Sequence, residues 1–211
     1  MDFEAARARL IEQLSTEIKD KRVLAAMSHI PRELFVPPES RRFAYEDRPL
    51  TIGWEQTISQ PFIIALMTEA LDLSGSEKVL EVGTGSGYQA AILAELSRQV
   101  ITVERLAALA EKAKQILDKL GYTNIEIHLA EETLGWKSEA PYDAILVTAG
   151  APHVPNDLLA QLAIGGRMVI PVGSRYVQEL CKITRRKDKN VVRNLCGCRF
   201  VSLIGKGAWE E

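Results

Sequence analysis

Residues 78–93, KVLEVGTGSGYQAAIL, decide the fold. Val79 and Leu80 begin an apolar run that reaches Val82 across one acidic residue, Glu81. Glycines at 83, 85 and 87 follow, and then an apolar-periodic segment. That order predicts a strand, a tight turn and a helix. Glycine lets the turn take positive φ and lets a ligand approach the backbone closely. The helix start adds free N–H groups. Such a unit holds a nucleotide-like ligand.

The same alternation continues downstream. Strands are expected at 100–104, 125–129, 143–148 and 166–172, with helices from 84–87 to about 97, at 106–120 and at 156–163. The last part reads differently, as an antiparallel pair at 179–186 and 191–203 around a Lys187-Asp188-Lys189-Asn190 turn. Upstream, helical spacing covers 3–18 and 21–30, and a further helix is expected at 62–73. Residues 32–56, with prolines at 37, 38 and 49 and Gly53, read as an irregular connection. The expectation is therefore an α/β chain with a mostly parallel, doubly wound sheet, a C-terminal antiparallel pair and an N-terminal helical extension. Residues 1–211 read as a single domain, with 1–56 as the extension and 57–211 as the core. Ligands of such sheets sit at the carboxyl ends of the strands, near the switch point.

Bulk properties exclude several classes. A formal net charge of −2 argues against general electrostatic affinity for nucleic acid or membrane. MDFEAARARLIEQL is charged throughout, unlike a signal peptide, and no segment is apolar for long enough to span a bilayer. Cys181, Cys196 and Cys198 read as structural thiols of a reducing cytoplasm. His29, His128 and His153 have no partner at metal or triad spacing, so no metal is expected.

The loop also discriminates between cofactors. In a dinucleotide fingerprint the third glycine would fall where Tyr88 stands. Here Glu81 precedes Gly83, Gly85 and Gly87, and E-x-G-x-G-x-G is the pattern of S-adenosylmethionine (AdoMet) methyltransferases. AdoMet has no pyrophosphate to cradle, so the loop instead lets backbone pass close to the cofactor. Glu104 lies twenty-one residues after Gly83, at a strand end, where a carboxylate can accept hydrogens from both ribose hydroxyls. Thr84, Ser86 and Arg105 join the expected cofactor set.

The stretch before the first strand narrows the reading. Tyr45 to Leu50 and Ile52 to Pro61, with Thr57-Ile58-Ser59-Gln60-Pro61 as the specific element, resemble the protein-L-isoaspartate O-methyltransferase family. The resemblance continues through Val79 to Tyr88, Val100 to Glu104, Thr133 to Trp136, Pro141 to Thr148, Gly165 to Gly173, Gln178 to Leu180 and Phe200 to Leu203. It implies a Rossmann-like fold and methyl transfer from AdoMet to the α-carboxylate of L-isoaspartyl residues, with D-aspartyl residues as a further substrate. It also implies damaged proteins and peptides as partners and repair through a succinimide; a cytoplasmic monomer is the expectation. Ser59 is the implied catalytic residue, and Thr57, Ile58 and Gln178 join it at the substrate.

Spacing alone allows another reading of Ser59, as the N-cap of the helix that Pro61 opens. That helix start would also direct its dipole at a carboxylate. Trp54 reads as a cleft-closing or core-packed side chain, and Asp143 as a functional group or a strand-end cap. The chain departs from the family in two places. Ala130-Glu131-Glu132 stands where Gly-Asp-Gly, whose Asp meets the adenine amino group, is usual, so the resemblance implies Glu131 and Glu132 as cofactor residues; Glu55 stands where glycine is usual. Another AdoMet methyltransferase, acting on RNA or a small molecule, and a cofactor-binding module without turnover remain the alternatives.

Overall fold

The computed structural model describes residues 2–210. Its centre is a seven-stranded sheet of order β5-β4-β3-β6-β7-β8-β9. Its strands are β3 (Lys78–Val82), β4 (Gln99–Glu104), β5 (Ile125–Leu129), β6 (Tyr142–Val147), β7 (Leu162–Gly173), β8 (Gln178–Thr184) and β9 (Val191–Cys198). Pairings among β3 to β7 are parallel; β7–β8 and β8–β9 are antiparallel. The strands buried on both faces are the continuous apolar runs: in Tyr142–Val147 only Asp143 is exposed. Helices α3 (Pro61–Leu71), α4 (Tyr88–Leu96), α5 (Ala107–Lys119) and α6 (Asn156–Gln161) cover the sheet. The N-terminal helices α1 (Phe3–Leu14) and α2 (Lys21–His29) join the same apolar core through Leu10, Leu14, Val23 and Met27. No helix among the described residues is long and apolar enough to cross a membrane.

Several boundaries differ from expectation, and three have a clear local reason. Helix α1 stops at Leu14 rather than 18, because Ser15 and Thr16 hydroxyls donate to the carbonyls of Glu12 and Gln13 at 2.7 and 2.8 Å. Those bonds satisfy the last turn without continuing it. The final strand ends at Cys198 rather than 203, because the chain there changes partner. Phe200 N–H donates to the Gln178 side chain, Gly150 N–H to Val201 O and Leu203 N–H to Gly150 O. Strand β7 starts at Leu162, so the helix before it is two residues shorter than its apolar pattern suggested.

The connection at 32–56 is more ordered than its prolines indicate. It holds 3-10 turns at Arg32–Phe35 and Pro38–Phe43 and most of a small hairpin, β1 (Leu50–Gly53) and β2 (Gln56–Ile58). Trp54 and Glu55, at the hairpin turn, have φ of 49° and 57°. A two-residue turn with both φ values positive matches strand twist, at a cost of about 1–2 kcal/mol for each side chain held there. The family's glycine at position 55 is thereby explained as a turn residue rather than a ligand contact. Urea unfolding of Glu55→Gly and Glu55→Val should therefore rank glycine above valine in stability by about 1–2 kcal/mol, with the native protein between them.

Candidate active site

The sheet order reverses at β3, whose neighbours β4 and β6 are connected in opposite directions, so a crevice opens above Val82. Three backbone pairings shape it. Gly83 and Thr84 N–H both donate to Val103 O, at 2.9 and 3.2 Å, which folds the glycine loop over the end of β4. Thr148 closes the other side, its N–H donating to Val82 O and its hydroxyl to Gly83 O at 2.7 Å. Gly83 has φ of 101°, and a Cβ there would lie 2.3 Å from the Thr148 oxygen. Only glycine permits that approach.

The resulting cleft, about 1030 Å³ counted to its open mouth, gathers most of the residues singled out in the sequence. Thr57, Ile58, Ser59, Gly83, Thr84, Gly85, Ser86, Glu104, Arg105 and Glu131 line it. Glu81, Gly87, Glu132 and Gln178 do not appear in its wall. Gly87, with φ of 87°, caps α4 and packs toward Ala113 and Leu117. Gln178 is 2% exposed and its amide is spent on Ser174 O and Phe200 N–H, so it clips two chain segments together. Asp143 accepts from Lys78 N–H at the opposite end of the strands. Trp54 is exposed at the hairpin tip.

The two acidic residues of the loop live in different environments. The Glu104 carboxylate accepts from Gly85 N–H at 2.8 Å and Leu106 N–H at 3.0 Å, one bond on each oxygen. Each oxygen keeps a further acceptor site, so the group can take two more hydrogens from the cleft. Glu81 is fully buried and reaches the loop through two hydroxyls. Thr102 Oγ1 lies 2.6 Å from Glu81 Oε2 and 2.7 Å from Thr84 Oγ1, and Glu81 Oε1 has no partner. Burial pushes the Glu81 carboxyl up to about 8, against the pull of the Thr102 hydrogen bond.

Ser59 does not cap its helix. The N-cap of α3 is Gln60, without a side-chain cap bond. Asp47 supplies the cap from the upstream connection: its Oδ1 accepts from Phe62 N–H and its Oδ2 from the Gln60 amide, both at 2.8 Å. That carboxylate takes the place at the helix start that spacing reserved for a ligand. Arg32 holds the other side of the turn, donating from Nη2 to Ser59 O at 2.8 Å. The backbone around Ser59 is thus fixed twice, while its hydroxyl makes no hydrogen bond among the described residues and borders the cleft.

Several wall residues carried no signal in spacing. Val201, Ser202 and Ile204 arrive because the C-terminal segment pairs with Gly150 and, through Lys206, with Thr133. Thr148 and Gln89 come from a strand end and a helix face. Leu134 and Gly135 are held by buried Gln161, which donates to Leu134 O and accepts from Trp136 N–H, both at 2.8 Å. His128 stacks on Trp136 at 4.1 Å beside this loop. No residue from 130 to 132 has positive φ, so Ala130-Glu131-Glu132 follows an ordinary backbone path that needs no glycine.

A glycine loop at the switch point, an acidic residue ending the adjacent strand, and Tyr88 where a dinucleotide loop has its third glycine together fit a Rossmann-like methyltransferase. Within that class the chain belongs to the protein-L-isoaspartate(D-aspartate) O-methyltransferase (PCMT) family, whose model matches residues 5–208. A protein-L-isoaspartate O-methyltransferase of Geobacter metallireducens is 55% identical over 99% of this chain and 98% of its own. One from Syntrophus aciditrophicus has the same identity and coverage. A solved protein-L-isoaspartate O-methyltransferase superposes with a TM-score of 0.85 at 30% identity, covering 96% of this chain and 67% of that one. A Plasmodium falciparum structure described as a putative member of the family, in complex with S-adenosyl-L-homocysteine, gives 0.81 at 27%, covering 94% and 98%.

The state of Glu81 has a measurable consequence. An acid held neutral in the fold up to about 8, but ionised in the unfolded chain above 4.5, leaves the folded state with the extra proton between those values. Its contribution therefore lowers stability as pH rises across that window and levels off above it. Glu81→Gln cannot ionise. Urea unfolding from about pH 5 to about pH 9 should show that the variant lacks this decline and gains on the native protein as pH rises.

Proposed function

We propose that this chain transfers the methyl group of AdoMet to the α-carboxylate of L-isoaspartyl residues in damaged proteins and peptides, and to D-aspartyl residues, initiating repair through a succinimide. The observation that carries the reading is Ser59: a turn clamped on both sides presents an uncommitted hydroxyl to the cleft that Gly83 and Glu104 share. The donor set fits the cofactor. Glu104 has acceptor sites for the ribose hydroxyls, Glu131 offers a carboxylate to the adenine amino group, and Val103 and Leu134 add apolar wall. When bound, AdoMet supplies an activated sulfonium methyl.

The chain's own residues then have little chemistry to perform. A carboxyl of ordinary pKa about 4 is already ionised at neutral pH, so no general base is needed. Ser59 Oγ donates to the substrate carboxylate and turns one oxygen toward the methyl. Thr57 and Ile58 shape the same wall and keep water from it, which makes the task one of proximity and desolvation. Glu81 supports the loop through Thr102 and Thr84 rather than touching ligand. The extension at 1–56 belongs to the same working unit, since it supplies Arg32 and Asp47. A net charge of −2 and three unpaired thiols support a cytoplasmic protein whose partners are polypeptides rather than nucleic acid; a monomer is the expected form.

Turnover on an isoaspartyl peptide and on its normal aspartyl twin tests the assignment: transfer should be confined to the isoaspartyl form, and equal rates would overturn it. Ser59→Ala should lower kcat about tenfold or more, with AdoMet affinity within about twofold. Glu131→Ala should do the reverse, weakening AdoMet binding about tenfold with a smaller change in kcat.

A further inference from the structure

We infer that Arg32 is a positioning residue for methyl transfer, acting through the Ser59 carbonyl it holds while its guanidinium stacks on Tyr88, the first residue of α4. The inference rests on the reading of Ser59 as the residue that orients the acceptor. Arg32 lies outside the cleft wall, in the first 3-10 turn of the connection. It is 0% exposed. Its Nε donates to Ala44 O and its Nη2 to Ser59 O, each at 2.8 Å, and its Cζ stands 4.9 Å from the centre of the Tyr88 ring. Tyr88 in turn meets Phe35 edge-on, at 5.3 Å.

Two features set this arginine apart from a packing residue. Its Nη1 is buried without a partner, and it has no ion pair among the described residues. Burying an unpaired cation is costly, and apolar filling of the same space would avoid that cost. Burial lowers its pKa to about 10, opposed by Tyr88, Tyr45 and Asp47, so the group stays charged at neutral pH. The planar fork also does what a lysine cannot, joining two carbonyls from separate segments while offering a face to an aromatic ring.

The geometry explains what that achieves. Fixing Ser59 O sets the peptide plane between Ser59 and Gln60, and with it the direction of the Ser59 side chain. Asp47 fixes the following residues, so the backbone at Ser59 is held in place and only rotation about χ1 remains to its hydroxyl. Tyr88 directly follows the glycine loop. Arg32 therefore spans the acceptor turn and the donor loop and sets their spacing, a quantity whose error of about 1 Å costs about a hundredfold in rate.

A double-mutant cycle of Arg32→Lys and Ser59→Ala tests this, read by turnover of an isoaspartyl peptide, calorimetric affinity for S-adenosylhomocysteine and thermal melting. Turnover is taken at a temperature where all four proteins are folded, and Arg32→Met replaces the lysine variant should that one not fold. The expected result is a kcat loss of about tenfold for Arg32→Lys, with homocysteine-ligand affinity within about twofold, shrinking to less than about twofold in the Ser59→Ala background. An equal loss in both backgrounds would make Arg32 a general packing residue, and an unchanged kcat would remove its role; either overturns the inference alone. Full kcat in Ser59→Ala would overturn the Ser59 reading first, and the inference with it.

Discussion

The parallel pairing of β3 with β4 on one side and β6 on the other is the constraint on which the rest of the molecule depends. It leaves the carbonyls of Val82 and Val103 at the ends of adjacent strands with no further strand to meet them. Gly83, Thr84 and Thr148 supply the missing donors. Satisfying those buried carbonyls is obligatory, and doing so folds the glycine loop into a crevice wall. The cofactor site is thus a by-product of ending three strands correctly. The 2.3 Å approach that a side chain at Gly83 would force on Thr148 shows how little slack remains.

Around that crevice, environment assigns different work to chemically similar groups. Glu81 in β3 and Glu104 at the end of β4 both serve the glycine loop, yet one is buried behind two threonine hydroxyls and kept neutral, while the other is tied to two backbone N–H groups with acceptor sites to spare. A dry carboxyl without a donor to each oxygen loses its charge rather than bear the desolvation cost. The neutral member braces the loop through Thr102 and Thr84, and the hydrogen-bonded member lines the cleft. Asp47 and Ser59 divide in the same way on the acceptor side. Asp47 takes the capping bonds, and that leaves the serine hydroxyl uncommitted.

Much of this was legible in the residues. Strand-to-helix alternation, the glycine spacing and the strand-end position of Glu104 depend on short-range periodicity, and most of their elements stand within a residue or two of expectation, while β7 begins four residues before the expected 166. The C-terminal strand was read too long because its end depends on Gln178, a buried side chain twenty-two positions from its partner Phe200. Gln178 itself reads as a polar residue near a substrate wall until its amide is seen to be fully engaged. The hairpin at 50–58 was obscured by Pro49, Gly53 and two non-glycine residues in left-handed conformation, which turn rules assign to glycine or asparagine.

The sequence by itself determined the order of elements, the kind of loop and the chemical types available at it, because those follow from backbone preferences over a few residues. It also carried, in Thr57 to Pro61, the mark of the acceptor. Tertiary structure decided which side chains are free. Ser59 escapes its capping role only because Asp47, twelve residues upstream, reaches the helix start, and because Arg32, still further away, holds the serine carbonyl. Glu81, next to the glycine loop in sequence, is buried by the fold and braces that loop through Thr102 and Thr84. A hydrogen bond commits a group to one partner, and which distant partner arrives first is a property of packing rather than of spacing.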